Sequence, residues 1–321
     1  MKNLAVILTI ALTAACGGDD GSDPAPGEDL TAPTVVSMSP EDGAVGVRDD
    51  AAVVIEFSEP MDRLSVQDNI DAADLGAINA EWNDDSTVLT ITPDQALAYA
   101  EGEGLDPSLI PALSYVVEVG AGAADEAGNG MAGAVQTSFS TLKRMTGTLD
   151  RDNGYTGAGT SDGVTTDDDD FLYVGDDDAQ ELSKAYRGYI SIDLLALPIG
   201  VEIESALLLA TQMAEINAPY AALSNGDGLL IDHGTFKLGS PDDDKSAFEM
   251  APLSNVGVLA QSGDIELELD VTAEVRHDVA NRAQRSQYRL RFDSYSNLDD
   301  SNNYVLIGRD DLGLEVVYLA P

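Results

Sequence analysis

The segment DIELELDV, Asp264–Val271, alternates without a break, with Ile265, Leu267, Leu269 and Val271 on one side and Glu266, Glu268 and Asp270 on the other. Alternation of period two suits a strand with one face on a core and one in water, and it does not fit a helix. The same period recurs along the chain. AAVVIEF sets Val53, Ile55 and Phe57 on one face, TVLTITP sets Leu89 and Ile91, and LSYVVEV sets Leu113, Tyr115, Val117 and Val119. QYRLRF places Tyr288, Leu290 and Phe292 inward with Arg289 and Arg291 outward, and YRGYISIDL, ESALLLATQ and LEVVYLA extend the series. Between the runs lie SPEDGAVGV, WNDDST and DEAGNGMAG, rich in the Gly, Asp and Asn that tight turns use. Only TAEVRHDVANRAQ reads as a helix, with Val275 and Val279 on one face. The expected fold is all-β: an antiparallel sandwich followed by a second, jelly-roll sandwich with one short helix.

A chain of 321 residues is long for one such unit, so two are expected, at 32–142 and 146–321. Residues 1–15 have a different character: Lys2 precedes the short apolar run LAVILTIAL and the small residues TAA, the parts of a secretory signal. The run is too short for a permanent membrane span. Cys16 follows it and is the only cysteine, so no internal disulfide can form. Residues 16–31, CGGDDGSDPAPGEDLT, combine Gly, Asp and Pro and read as a solvated tether. This amino terminus resembles bacterial lipoprotein signals. The resemblance implies a lipid on Cys16, export, and attachment to the outer membrane or cell surface, although Leu12 stands one place earlier than the leucine of the usual pattern.

Charge narrows the partners. With 58 Asp and Glu against 16 Lys and Arg, the net charge is -42, which repels nucleic acid and anionic headgroups. The membrane is therefore expected as a partner only through the lipid on Cys16.

In the first unit, APTVVSMSPEDGAVGV, IEFSEPMD, STVLTITP, YVVEVGAGAADEAGNGMAG and TSFST occur in the order seen in bacterial Ig-like domains of the surface-layer type, which they resemble. That family implies a spacer or adhesive module without catalytic residues. The stretch AYAEGEGLDPSLIPA is longer than the family's turn and is expected to add a surface loop with a helical turn. Asp125 and Asn129 are read as turn formers, and Trp82 as a packed edge aromatic. In the second unit, YRGYISIDLLALPIGVEIESALLLA, LELDVTAEV and SQYRLRF look like the DNRLRE family of jelly-roll modules, related to carbohydrate-binding modules. The match implies a fold and a class of ligand, without naming the ligand.

Two sets of residues are candidates for a site. Calcium takes six to eight oxygens from bent loops, and the densest supply is Asp167, Asp168, Asp169, Asp170, Asp176, Asp177 and Asp178. The alternative is a solvated acidic surface. Further acidic runs occur at PDDDK, Pro241–Lys245, and NLDDSNN, Asn297–Asn303. Arg276, Arg285, Arg289 and Arg291 crowd one stretch and could hold an acidic glycan or envelope protein with Tyr295 and Tyr304, or pair with the chain's own aspartates. Tyr155, Tyr173, Tyr186 and Tyr220 add further aromatic surface. His233 and His277 stand in different contexts with no metal-ligand spacing between them, so no zinc site is expected. No phosphate loop, nucleophile elbow or cysteine nucleophile appears in the folded part, so no enzyme is expected. The resulting expectation is a surface-anchored adhesion protein that recognises glycan or an envelope component. The alternatives are a structural envelope protein without a small ligand and a polysaccharide-active hydrolase or lyase accessory.

Overall fold

A computed structural model of the chain describes residues 29–151, 157–161, 165–166, 170–178, 184–238 and 240–321. The expected signal, Cys16, nearly all of the tether, Tyr155 and Asp167, Asp168 and Asp169 lie outside the described residues. Among those described, no helix is long and apolar enough to cross a membrane.

The first unit runs through β1 (Val35–Ser39), β2 (Ala44–Val47), β3 (Val53–Phe57), β4 (Ile70–Asp71), β5 (Ile78–Trp82), β6 (Val88–Pro93), β7 (Ala100–Glu103), β8 (Ser114–Val119) and β9 (Val135–Thr141). Two four-stranded sheets result, in the orders β1-β3-β6-β5 and β2-β9-β8-β4. Between them lies one core containing Val53, Ile55, Phe57, Leu89, Ile91, Tyr115, Val117, Val119 and Phe139, as the alternation predicts. Leu113 is an exception and stays exposed, because β8 begins one residue after it. A short helix, α1 (Arg63–Asp68), contributes Val66; its start is capped by the Asp62 carboxylate, which accepts from the N–H groups of Leu64 and Ser65. Trp82, on the edge strand β5, stacks on Phe57 with ring centroids 5.7 Å apart. The buried Asp125 carboxylate accepts from the backbone N–H and side-chain amide of Asn129, both at 2.8 Å, and so holds the turn as expected.

The second unit runs through β10 (Lys143–Asp150), β11 (Gly157–Thr160), β12 (Thr165–Thr166), β13 (Phe171–Asp177), β14 (Lys184–Asp193), β15 (Glu202–Ile216), β16 (Leu229–His233), β17 (Ser254–Ala260), β18 (Glu266–Asp270), β19 (Arg285–Arg291), β20 (Asn302–Gly308) and β21 (Gly313–Ala320). One long strand joins its two halves. The first part of β15 pairs with β21 and β18, and its last residues pair with β20 after a register shift between Gln212 and Ala214. Leu208, Leu314, Val316 and Tyr318 from one half and Leu172, Val174, Ile190, Leu290 and Ile307 from the other belong to one core. DIELELDV becomes β18 with Leu267 and Val271 buried, but Ile265 precedes the strand and is exposed.

Among the described residues three short helices decorate this unit, two more than the sequence led us to expect: α2 (Pro219–Leu223), α3 (Pro241–Phe248) and α4 (Thr272–Ala280). PDDDK is the first turn of α3 and not a loop. The Ser240 hydroxyl caps it by accepting from the Asp243 N–H at 3.2 Å, proline occupies the first turn, and Asp242, Asp243 and Asp244 sit at the positive end of the helix dipole.

The stretch AYAEGEGLDPSLIPA also departs from expectation. It contains the expected helical turn at Pro107–Leu109, but its first part is β7, which pairs in parallel with β10 of the second unit. Leu105 and Ile110 pack against the second core, and the Tyr318 hydroxyl donates to the Gly104 carbonyl at 3.1 Å. Arg48 and Glu202 add a bridge of 2.7 Å between the units.

Candidate functional site

The alternation of QYRLRF places Arg289 on the outer face of β19, and that face is covered. Arg289 is buried, 4% exposed, and its guanidinium donates to Asp232 at 2.6 Å and to the carbonyls of Ala247, Phe248 and Met250. Arg291 donates to the same carboxylate at 2.8 Å and faces Asp293. Burial alone would raise the Asp232 carboxyl, but the bonds and charges of Arg291 and Arg289 hold it below the ordinary carboxylate range. Arg187 on β14 donates to the Phe248 carbonyl and lies 4.1 Å over its ring. Burial pushes its pKa down to about 10, with Arg289 beside it adding to the shift. Two arginines therefore fasten the last carbonyls of α3, the negative end of its dipole, to the sheet.

The four arginines of the expected patch do not share one set of partners. Arg276 is turned to the start of β15, donating to the carbonyls of Ile203 and Glu204, both at 2.8 Å. Arg285 is partly buried and lines a shallow cavity of about 440 Å³ with Lys237, Asp243, Ser246 and Gln287. The reading in which these side chains meet the chain's own groups is the one that holds for Arg289 and Arg291.

Of the expected calcium ligands, Asp170 is exposed at the start of β13, while Asp176 and Asp178 turn inward beneath the loop joining β19 to β20. Asp176 accepts from the N–H groups of Asn297 and Asn303 at 3.1 and 3.0 Å. Asp178 accepts from the Leu298 N–H at 2.7 Å and from the Ser296 hydroxyl. These bonds shape the loop NLDDSNN. Burial pushes the Asp176 carboxyl up to about 6, with Asp178 contributing, while the two backbone donors oppose the rise. Asp177 has one buried oxygen without a partner among the described residues. In the first unit, Asp29, Glu59 and Asp125 bring one oxygen each within 4.8 Å of one another.

The tyrosines separate into two groups. Tyr295 is 62% exposed on the β19–β20 loop and has no ring partner among the described residues. Tyr304 is half-buried on β20, its ring 5.5 Å from that of Tyr173 on β13, which lies 5.9 Å from Tyr186 on β14. Val174 and Val305, next to Tyr173 and Tyr304, point into the core, so by strand alternation these two tyrosines lie on the outer face. Tyr220 instead packs edge-on against Phe292 in the core.

The histidines, which sequence reasoning kept apart, meet. His233 ends β16 and His277 lies on α4, and both approach the carboxylate of Asp278. His233 Nε2 is 2.9 Å from Oδ2, and His277 Nδ1 is 3.4 Å from Oδ1. No spacing rule links positions 233 and 277. The one signal available was that they are the only two histidines in the chain.

Comparison with known proteins identifies one segment. No curated protein matches the chain. Among solved structures, similarity is found to the N-terminal part of the bacterial S-layer protein SbsC, at 10% identity and a TM-score of 0.23, covering 53% of this chain and 43% of that one. The S-layer protein rSbsC(31-844) and domains 1-6 of surface layer protein SbsC match at 11% identity and a TM-score of 0.23 each. They cover 75% and 76% of this chain and 41% of each of those chains. The chain thus spans less than half the length of these structures, and a TM-score of 0.23 does not establish a shared architecture. The family assignment rests on the first sandwich: residues 29–141 match the model of the bacterial Ig-like domain, and this segment of the chain is such a domain.

Proposed function

We propose that this is an exported protein held at the outer membrane or cell surface by a lipid on Cys16, with the Ig-like domain as spacer. The second sandwich acts as a non-enzymatic recognition module for glycan or an envelope component. The observation that carries the recognition reading is the cluster of Tyr173, Tyr186 and Tyr304 on three strands of one sheet. Partly exposed aromatic rings offer an apolar face for a sugar ring and a hydroxyl for its polar edge. The resemblance to DNRLRE modules supports the same reading. Because Asp232 holds Arg289 and Arg291, a neutral glycan fits better than an acidic one. The Ig-like match supports the spacer role.

The test is a glycan array probed with the full chain and with Tyr304→Ala. Binding to neutral glycans is expected, and the variant should lose roughly 3–10-fold in affinity, the range for loss of one aromatic contact. Silence across the array would favour the second reading, a structural envelope protein without a small ligand. In a parallel arm, Cys16→Ala should move the mature protein from the membrane pellet to the soluble fraction, and a variant that still sediments with membranes removes the anchor.

A further inference from the structure

Two imidazoles and a carboxylate converge in the second unit at a place that plays no part in the recognition reading. His233, at the end of β16, is 2% exposed and Asp278, on α4, is 4% exposed. The side chain of His277 is 54% exposed, so one flank of the group is open to water. One ring nitrogen of His233, one of His277 and a carboxylate oxygen of Asp278 all lie within 4.8 Å of one another, and the two rings are edge to face with centroids 5.9 Å apart. A lone histidine–aspartate hydrogen bond would use one oxygen. Here each oxygen of Asp278 faces a different ring.

We propose that His233, His277 and Asp278 form a site for a divalent transition-metal ion of the zinc class. Donor atoms about 2.0–2.2 Å from a tetrahedral ion stand about 3.3 Å apart. His233 stands 2.9 Å from one carboxylate oxygen and His277 3.4 Å from the other, on either side of that value, and the three donors lie within 4.8 Å of one another, so movement of the exposed His277 ring closes them around an ion. Donor chemistry sets the class: imidazole nitrogens favour zinc, copper, nickel and cobalt, whereas calcium and magnesium take oxygen. The frame is already in place. β16 is paired on both sides, by β17 and β19, the His233 carbonyl accepts from the Leu253 N–H at 2.8 Å, and Val275 anchors α4 in the core. Three protein donors with an open flank leave a coordination position for water or for a donor from a partner molecule. A net charge of -42 raises the local concentration of cations.

The experiment uses the full chain without a histidine tag, titrated with cobalt(II) and then zinc(II) in a large excess of calcium. The expected result is one saturable site, with a visible cobalt d–d band of four-coordinate intensity that zinc abolishes and calcium leaves intact. His277→Gln lies at an exposed position and should melt like the parent in chelator. It should lose affinity by more than the roughly 10–100-fold that follows removal of an outer-shell partner. Independently of any variant, zinc should shift the imidazole 15N resonances of both histidines, the only two in the chain. The proposal is overturned if binding is not saturable at one ion per chain or if calcium displaces it. It is equally overturned if His277→Gln binds as the parent does or if only one imidazole responds.

Discussion

Asp176 places an acidic group where solvent does not reach, and this burial pushes its carboxyl up to about 6. Its folded value lies above the ordinary 3.8, so the folded protein holds this proton more tightly than the unfolded chain. The stability tied to it is therefore fully present below about pH 4 and is lost as pH rises through about 6. Asp176→Asn keeps the size and removes the titration. Thermal melts between pH 4 and 7, in chelator, should show the parent losing stability across this window while the variant runs flatter. Parallel curves would mean the loop does not feel this carboxyl. Asp232 acts in the opposite sense, because its depressed carboxyl contributes above the ordinary carboxylate range and its loss belongs to more acidic solutions.

At the level of elements, the fastening of α3 decides what the arginines do. Removing Arg289 leaves Asp232 buried with one partner fewer and takes one donor from each of the carbonyls of Ala247, Phe248 and Met250. Arg289→Ala should cost about 3–5 kcal/mol, the range for breaking a buried pair, read by denaturant unfolding. A cost below about 1 kcal/mol would place this pair with exposed bridges. The same case shows what the sequence can and cannot convey. Alternation in QYRLRF told correctly that Tyr288, Leu290 and Phe292 face one way and the arginines the other. It could not tell that α3 covers the second face, because its acidic first turn reads as a loop until Ser240 and Pro241 are recognised as a helix start. The aromatic cluster was legible only as an inventory, since Tyr173, Tyr186 and Tyr304 gain meaning from sheet order. The histidine pair had no local pattern at all: β16 and α4 are brought together by the core that Val275 joins, and long-range packing leaves no periodic mark.

For the whole molecule, the informative contact is the one between sandwiches. A single residue, Leu142, separates β9 from β10, while β7 reaches across to pair with β10 and Leu105 and Ile110 enter the second core. Calorimetry of the parent should therefore give one unfolding transition, and Leu105→Asp combined with Ile110→Asp should split it in two. Two separate transitions in the parent would mean that the pairing does not couple the units. The two units themselves were visible from length and turn spacing, but AEGE has no alternation and reads as a loop, so the coupling was not. A joint at Leu142 alone would let the second sandwich swivel freely, and any surface it carried would be displayed in every heading. Attachment at a second point removes that freedom. The tyrosine face then keeps a fixed bearing relative to the Ig-like domain, and whatever it meets is presented from one direction.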